Sequence, residues 1–141
     1  MKPPTEEQLN IEIDDGYGLA YEGKPTHVIQ GAIDSLKAEL DALELTAEMV
    51  TDRWRKEEEY HKNVIHHYLH SIEFESEWMD EPDPVAIARD QQRLQEARAT
   101  LRKEREEYYE GKRKSDEAIE LKKQQIAVMA DTLRRSHAGH P

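Results

Sequence analysis

Four histidines between residues 61 and 70 are the side chains in this sequence best suited to carry chemistry. His66 and His70 are four residues apart, which places them on one face of a helix, and Glu73 continues that face. Imidazole and carboxylate groups at this spacing can bind zinc or a related ion. These three residues are therefore the candidate metal ligands, and they form a weak set.

The rest of the sequence argues against a metal site. Di-iron helical bundles take a Glu-x-x-His unit from each of two helices. The unit at Glu58 and His61 has no counterpart in the second half of the chain, where the first histidine is His137. There is no cysteine, so thiolate ligands are excluded. We expect solvated or seam histidines and no cofactor or metal. A pH-sensitive interface is the remaining alternative, since histidine titrates near neutral pH.

No other group of residues suggests catalysis. The serines have no nucleophile motif around them. Gly16-Tyr17-Gly18 lacks the rest of a dinucleotide or phosphate-loop fingerprint and is most simply a turn. Paired glutamates occur along much of the chain and indicate solvated faces. We therefore expect a protein that is not an enzyme.

A break at Glu81-Pro82-Asp83-Pro84 separates two long helical stretches. Each proline lacks an amide donor and disfavours the helical conformation in the residue before it. Asp83 can cap a second helix that has Pro84 at its first position. The predicted segments are an N-terminal arm over 1–26, a helix over 27–79, a turn over 80–84, a helix over 85–136 and a tail over 137–141.

Apolar residues recur in the first stretch at alternating steps of four and three from Ile29 to Trp54, which is the pattern of a coiled-coil seam. In an antiparallel pair of helices, facing residues have a nearly constant sum of residue numbers. A sum of 162 pairs Ile29 with Leu133, Ile33 with Met129, Leu36 with Ile126, Leu43 with Ile119, Trp54 with Tyr108, and Tyr68 with Leu94. The sequence therefore predicts an all-α fold, a long antiparallel two-helix coiled-coil hairpin, with Trp78 against Pro84 and Val85 near its turn.

The N-terminal arm has a different pattern, because its apolar residues alternate with polar ones as in a strand. We predict an extended arm or a small β-hairpin. An isolated two-stranded hairpin is marginal in water, so strand addition to the sheet of a partner is one way to order the arm. A loosely attached tail is the alternative. The interface residues predicted in the arm are Leu9, Ile11, Ile13, Tyr17 and Tyr21.

Charge and composition limit the partners. The net charge is −11, which argues against broad binding to nucleic acids or anionic membranes. Residues 1–81 carry −13 and residues 82–141 carry +2, which favours pairing between the two helices. We therefore interpret the arginines of the second helix as partners of the acidic first helix, with a nucleic-acid strip as the less favoured alternative.

The expected environment is aqueous. No apolar run approaches the ~20 residues that a membrane span needs, and the start of the sequence lacks the apolar core of a signal peptide. We expect a soluble protein in the cytoplasm or within a macromolecular assembly.

The apolar face of the first helix broadens toward the turn, beyond what a two-helix seam requires. The interface residues predicted there are Ile65, Leu69, Ile72 and Trp78. Burying them needs a second copy or another protein. We therefore expect a structural or assembly subunit that acts through coiled-coil packing and an N-terminal docking arm. The alternative is an acidic helical regulator or inhibitor that binds a basic protein surface, as a nucleic-acid mimic does.

Overall fold

Two long helices dominate the computed structural model, which describes Tyr21 and residues 23–138. Helix α1 spans Thr26–Glu73, and helix α2 spans Pro84–Ala138. A π-helical segment, Phe74–Trp78, follows α1 directly. The residues described here contain no strand, and the predicted all-α class is confirmed.

The predicted N-terminal arm lies almost entirely outside the described residues, including its candidate interface residues Leu9, Ile11, Ile13 and Tyr17. Tyr21 is described, and its backbone is helical, whereas the sequence pattern indicated an extended arm or a small β-hairpin. The amide of Lys24 donates to the carbonyl of Tyr21 at 3.1 Å. Gly23 between them has a φ of 80°, a left-handed conformation that favours glycine. A turn therefore leads the chain into α1.

The chain divides into two compact units, and the first runs to Ala47 and resumes at Lys114. Its buried cluster consists of Ile29, Ile33, Leu36 and Met129, with half-buried Tyr21, Ala32, Ile126 and Leu133 packed against it. Six residues that the sequence placed on the seam thus meet in one cluster. At the edge of this unit, the Lys122 ammonium donates to Glu39 Oε2 at 2.7 Å.

The second unit, Glu48–Arg113, is a helical hairpin. The rings of Trp54 and Tyr108 stack with centroids 5.2 Å apart and planes 14° from parallel. This contact confirms the predicted pair. The hydroxyls of Thr51 and Tyr108 share a hydrogen bond of 2.9 Å, so the same tyrosine makes an apolar and a polar contact across the hairpin.

Charged side chains also pair across this second unit. Arg105 Nε lies 3.4 Å from Glu58 Oε2, and His61 Nε2 contacts Glu104 Oε2. For Arg105, this pairing agrees with the interpretation that the arginines of α2 serve the acidic α1. His61 is likewise occupied by a carboxylate of the opposite helix.

The start of α2 is capped as the sequence predicted. The amide of Val85 donates to Asp83 Oδ1 at 3.0 Å, and the amide of Ile87 donates to the Asp83 carbonyl at 3.1 Å. Asp83 is therefore the N-cap, and Pro84 occupies the first helical position, where its missing amide costs nothing.

The end of the first helix differs from the prediction. Its α-helical geometry stops at Glu73 instead of residue 79, and Met79 is extended, with φ −86° and ψ 138°. The expected packing of Trp78 against Val85 is wrong, because Trp78 is 71% exposed and Val85 is 77% exposed. A π turn advances the chain by a different angle per residue than an α turn, so a seam extrapolated with α-helical spacing fails here.

Among the described residues, no helix combines the length and apolar character that crossing a bilayer requires.

Candidate protein-interaction surface

Large apolar side chains are exposed at the turn of the second unit. The residues concerned are Leu69, Phe74, Trp78, Met79 and Val85. We call these five residues, together with the groove and carboxyl pair described below, the hairpin-end surface. Single exposed apolar residues are common on proteins, but several aromatic and aliphatic side chains close together in the chain need a physical account.

The π-helical segment provides part of that account. Phe74 and Trp78 are its first and last residues. Ser76 lies between them, and its hydroxyl donates to the carbonyl of Ile72, one turn earlier. Such a side-chain bond competes with the backbone ladder and bends helices. Single π turns inside α-helices are frequent at functional sites.

A groove of about 230 Å³ lies beside the π segment, and its walls are His67, His70, Ser71, Phe74 and Glu75. The groove therefore brings one wall of imidazole and hydroxyl groups close to an aromatic ring and a carboxylate. Its mixed lining suits a side chain that has an apolar stem and a polar head.

The lining of the groove includes one of the three candidate metal ligands. His70 lines the groove, whereas His66 and Glu73 are exposed and are not part of its lining. Within the part of the chain that the structure describes, no group of three or more histidine, cysteine or acidic side chains is arranged to hold a metal ion.

Two carboxyl groups meet across the hairpin at Glu75 and Asp90. Asp90 is only 6% exposed, and Glu75 Oε2 is buried without a hydrogen-bond partner. Burial raises the pKa of Glu75, and the neighbouring Asp90 carboxylate raises this pKa further. Arg89 opposes the shift, and Asp83 adds to it. The fold therefore favours the protonated form of Glu75.

The local charge is strongly negative. Residues 73–90 contain seven acidic residues and one basic residue, Arg89. Arg89 Nε is 4.0 Å from Asp90 Oδ1, and more than half of the arginine side chain is exposed. One peripheral cation cannot neutralise this surface, so the exposed apolar side chains stand among uncompensated acids.

The hairpin-end surface includes two of the predicted interface residues, Leu69 and Trp78, and both are exposed. Ile65 and Ile72 are half-buried, and Tyr21 packs against the core of the first unit. The predicted role of all these residues in an interface stays a prediction.

The sequence analysis missed the carboxyl pair. Glu75 falls where the apolar seam of the first predicted helix continues and an apolar residue is expected, and Asp90 lies on α2 four residues before the seam residue Leu94. One acid at a seam position near the end of the hairpin was the available signal.

A second groove, of about 330 Å³, lies beside the stacked pair of Trp54 and Tyr108. Its other lining residues are Val50, Arg53, Glu57, Glu104, Glu107 and Gly111. This lining holds no serine, cysteine or histidine that could act as a nucleophile or as its base. The aromatic pair is accounted for by packing within the hairpin.

Comparison with known protein families, with curated proteins and with solved structures finds no match for this chain. The functional argument therefore depends on the hairpin-end surface alone.

Proposed function

We propose that this chain is a non-enzymatic assembly subunit that binds other proteins through the hairpin-end surface. Its two helices pack as an antiparallel coiled-coil hairpin, and its N-terminal residues 1–26 form a second docking segment. The observation that carries the proposal is the exposure of Trp78 and Val85 beside the turn. In water, covering such side chains releases about 25 cal/mol for each Å² of apolar area buried.

The residue types at this end support the proposal. Tryptophan is enriched among the residues that dominate binding energy in protein interfaces. Trp78 lies in a π turn that is followed at once by an extended residue and a proline-rich turn. Short, irregular segments held by rigid helices are the usual place for binding residues.

The test is the composition of the native complex. The full chain, carrying an affinity tag, is purified from its native source, and the mass of the intact complex is measured. We expect a fixed stoichiometry with a companion protein. Trp78→Ser should dissociate this complex, because it removes the central aromatic contact. The matched control is Tyr60→Ser, another aromatic residue that is 65% exposed, which should leave the mass unchanged.

Two outcomes would contradict the proposal. One is a lone monomer with no companion at physiological concentration. The other is equal loss of the companion in Trp78→Ser and Tyr60→Ser, which would show that aromatic exposure in general, and not the hairpin-end surface, governs binding. Deletion of residues 1–25 tests the second docking segment separately, and we expect it to prevent assembly.

A further inference from the structure

We infer that the hairpin-end surface binds a basic amphipathic segment of another protein, with apolar side chains over Phe74 and Trp78 and a lysine or arginine against Glu75 and Asp90. The inference rests on the proposed function and specifies the chemistry of the partner.

Local charge selects a basic partner over a second copy. With seven acids and one base in residues 73–90, two copies that met through this surface would place like charges together. Juxtaposed like charges suppress association, while complementary charges speed the encounter and fix its register. A segment rich in lysine or arginine satisfies this condition, and its apolar face can cover the exposed aromatic residues.

The carboxyl pair defines where the positive charge belongs. Buried polar atoms normally have a hydrogen-bond partner, yet Glu75 Oε2 is buried without one. Either a proton or an external cation can satisfy the pair. Arg89 contacts the pair at Asp90, at 4.0 Å, and most of its side chain remains in solvent, so it leaves Glu75 Oε2 without a partner. The raised pKa of Glu75 favours a proton at this site in the free protein, and a positive charge brought by the partner is expected to replace that proton.

The groove has the lining that such a side chain requires. Phe74 and Glu75 are both among its walls. The stem of a lysine or arginine packs on apolar surface while its charged head stays polar, and a cation over an aromatic ring gains further attraction. The half-buried Glu75 side chain provides the carboxyl group of this lining.

Binding should also release a proton. The pKa of Glu75 is raised by burial and then by Asp90, so the free protein keeps this proton to a higher pH than an ordinary glutamate does. The groups that act on Glu75 from the opposite side are Asp90, Arg89 and Asp83, and His67 and His70 lie along the groove from its own helix. A bound cation favours the ionised carboxylate. Affinity should therefore rise as the pH rises through the titration of Glu75.

The experiment uses the full chain and a fluorescent synthetic helix of about 18 residues, leucine-rich on one face and lysine- and arginine-rich on the other. Fluorescence anisotropy gives the dissociation constant. Glu75→Gln and Asp90→Asn each remove one charge and keep the side-chain shape. Glu106→Gln removes one charge from an exposed position elsewhere on α2. Circular dichroism verifies that each variant is folded.

We expect Glu75→Gln and Asp90→Asn each to weaken binding about tenfold, as loss of one hydrogen bond to a charged group predicts. Glu106→Gln should change the constant less than about twofold, because an exposed charge interacts weakly. The rise in affinity with pH should be absent in Glu75→Gln. A peptide with glutamates in place of its basic residues should not bind.

Three results would overturn the inference: binding that is insensitive to Glu75→Gln and Asp90→Asn, equal weakening by Glu106→Gln, or equal binding of the acidic peptide. The native complex separates this inference from the proposed function. If the companion protein still binds the Glu75→Gln variant, the assembly role is supported and the proposed basic contact at Glu75 is contradicted. A lone monomer removes the assembly role, while the titration still decides whether the surface binds a basic segment.

Discussion

Glu75 and Asp90 place two carboxyl groups together at the end of a hairpin, and this arrangement predicts a pH-dependent stability. Burial first, and Asp90 second, raise the pKa of Glu75 in the folded chain. The fold therefore prefers the protonated acid. The stabilisation is fully present below the ordinary pKa of glutamate and is lost as the pH rises through the raised pKa. Glu75→Gln should raise the melting temperature at pH 7 and give no advantage near pH 4.

Glu106→Gln is the charge-matched control for this experiment. Glu106 is exposed on α2, and substitutions at such sites usually change the free energy of unfolding by less than about 0.5 kcal/mol. Equal stabilisation by both variants at pH 7 would mean that net charge, and not the Glu75–Asp90 contact, sets the pH dependence.

Trp54 and Tyr108 pack against each other across the second unit. Trp54 is 7% exposed and stacks on Tyr108. Trp54→Ala should lower the free energy of unfolding by about 3 kcal/mol, since a large buried ring is lost. Tyr108→Phe should cost about 1 kcal/mol, because it removes the hydrogen bond with Thr51. Urea unfolding measures both changes.

The neighbouring Tyr109 provides the control. Its side chain is exposed, so Tyr109→Phe should change the unfolding free energy by less than about 0.5 kcal/mol. If Thr51→Ala and Tyr108→Phe have fully additive effects, the two hydroxyls do not interact in solution and the predicted contribution of this bond is wrong.

At the scale of the element, Asp83 determines where α2 begins. Its carboxylate accepts the Val85 amide at 3.0 Å. Asp83→Ala should cost about 1 kcal/mol of unfolding free energy, as loss of an N-cap does. Asp83→Asn keeps a capping oxygen and should cost much less. Because Asp83 also raises the pKa of Glu75, the asparagine variant separates the cap from the charge. Asp80→Ala, at an exposed turn position, should have little effect on thermal unfolding.

The two ends of the turn differ in how far sequence predicts them. Proline and a capping aspartate are local signals, so the start of α2 at Pro84 was predicted to within one residue. A π turn leaves no comparable local signal in Phe74–Trp78, because the composition of this segment is ordinary for a helix. Periodicity reasoning assumes 3.6 residues per turn. With that spacing, the seam was predicted to continue as far as Trp78, although the α-helical spacing ends at Glu73.

At the scale of the whole molecule, the sequence predicted residues that pack and did not predict the carboxyl pair. A constant sum of residue numbers located the stacked pair of Trp54 and Tyr108, because hydrophobic matching along two helices is a repeated signal. Glu75 interrupts that signal at one seam position, and Asp90 lies beside the seam. From the sequence, a single acid at a seam position predicts a locally weak helix–helix contact. The three-dimensional arrangement is needed to show that Glu75 and Asp90 meet.

The charge of the whole chain, −11, makes salt the variable that separates the assembly role from nucleic-acid mimicry. The Debye length falls from about 10 Å at 0.1 M salt to about 3 Å at 1 M. Contacts made by exposed acids are then screened, whereas apolar contacts of Phe74, Trp78 and Val85 are not.

A complex held by the hairpin-end surface should weaken with salt and still persist at about 1 M NaCl, and Trp78→Ser should weaken it at every salt concentration. A nucleic-acid mimic should dissociate from its partner as the salt concentration rises to about 1 M. In that case the Trp78→Ser variant should show the same salt dependence as the unmodified chain. Sedimentation of the isolated complex across a salt series distinguishes the two. Dissociation that depends on salt and ignores Trp78 would favour the mimic.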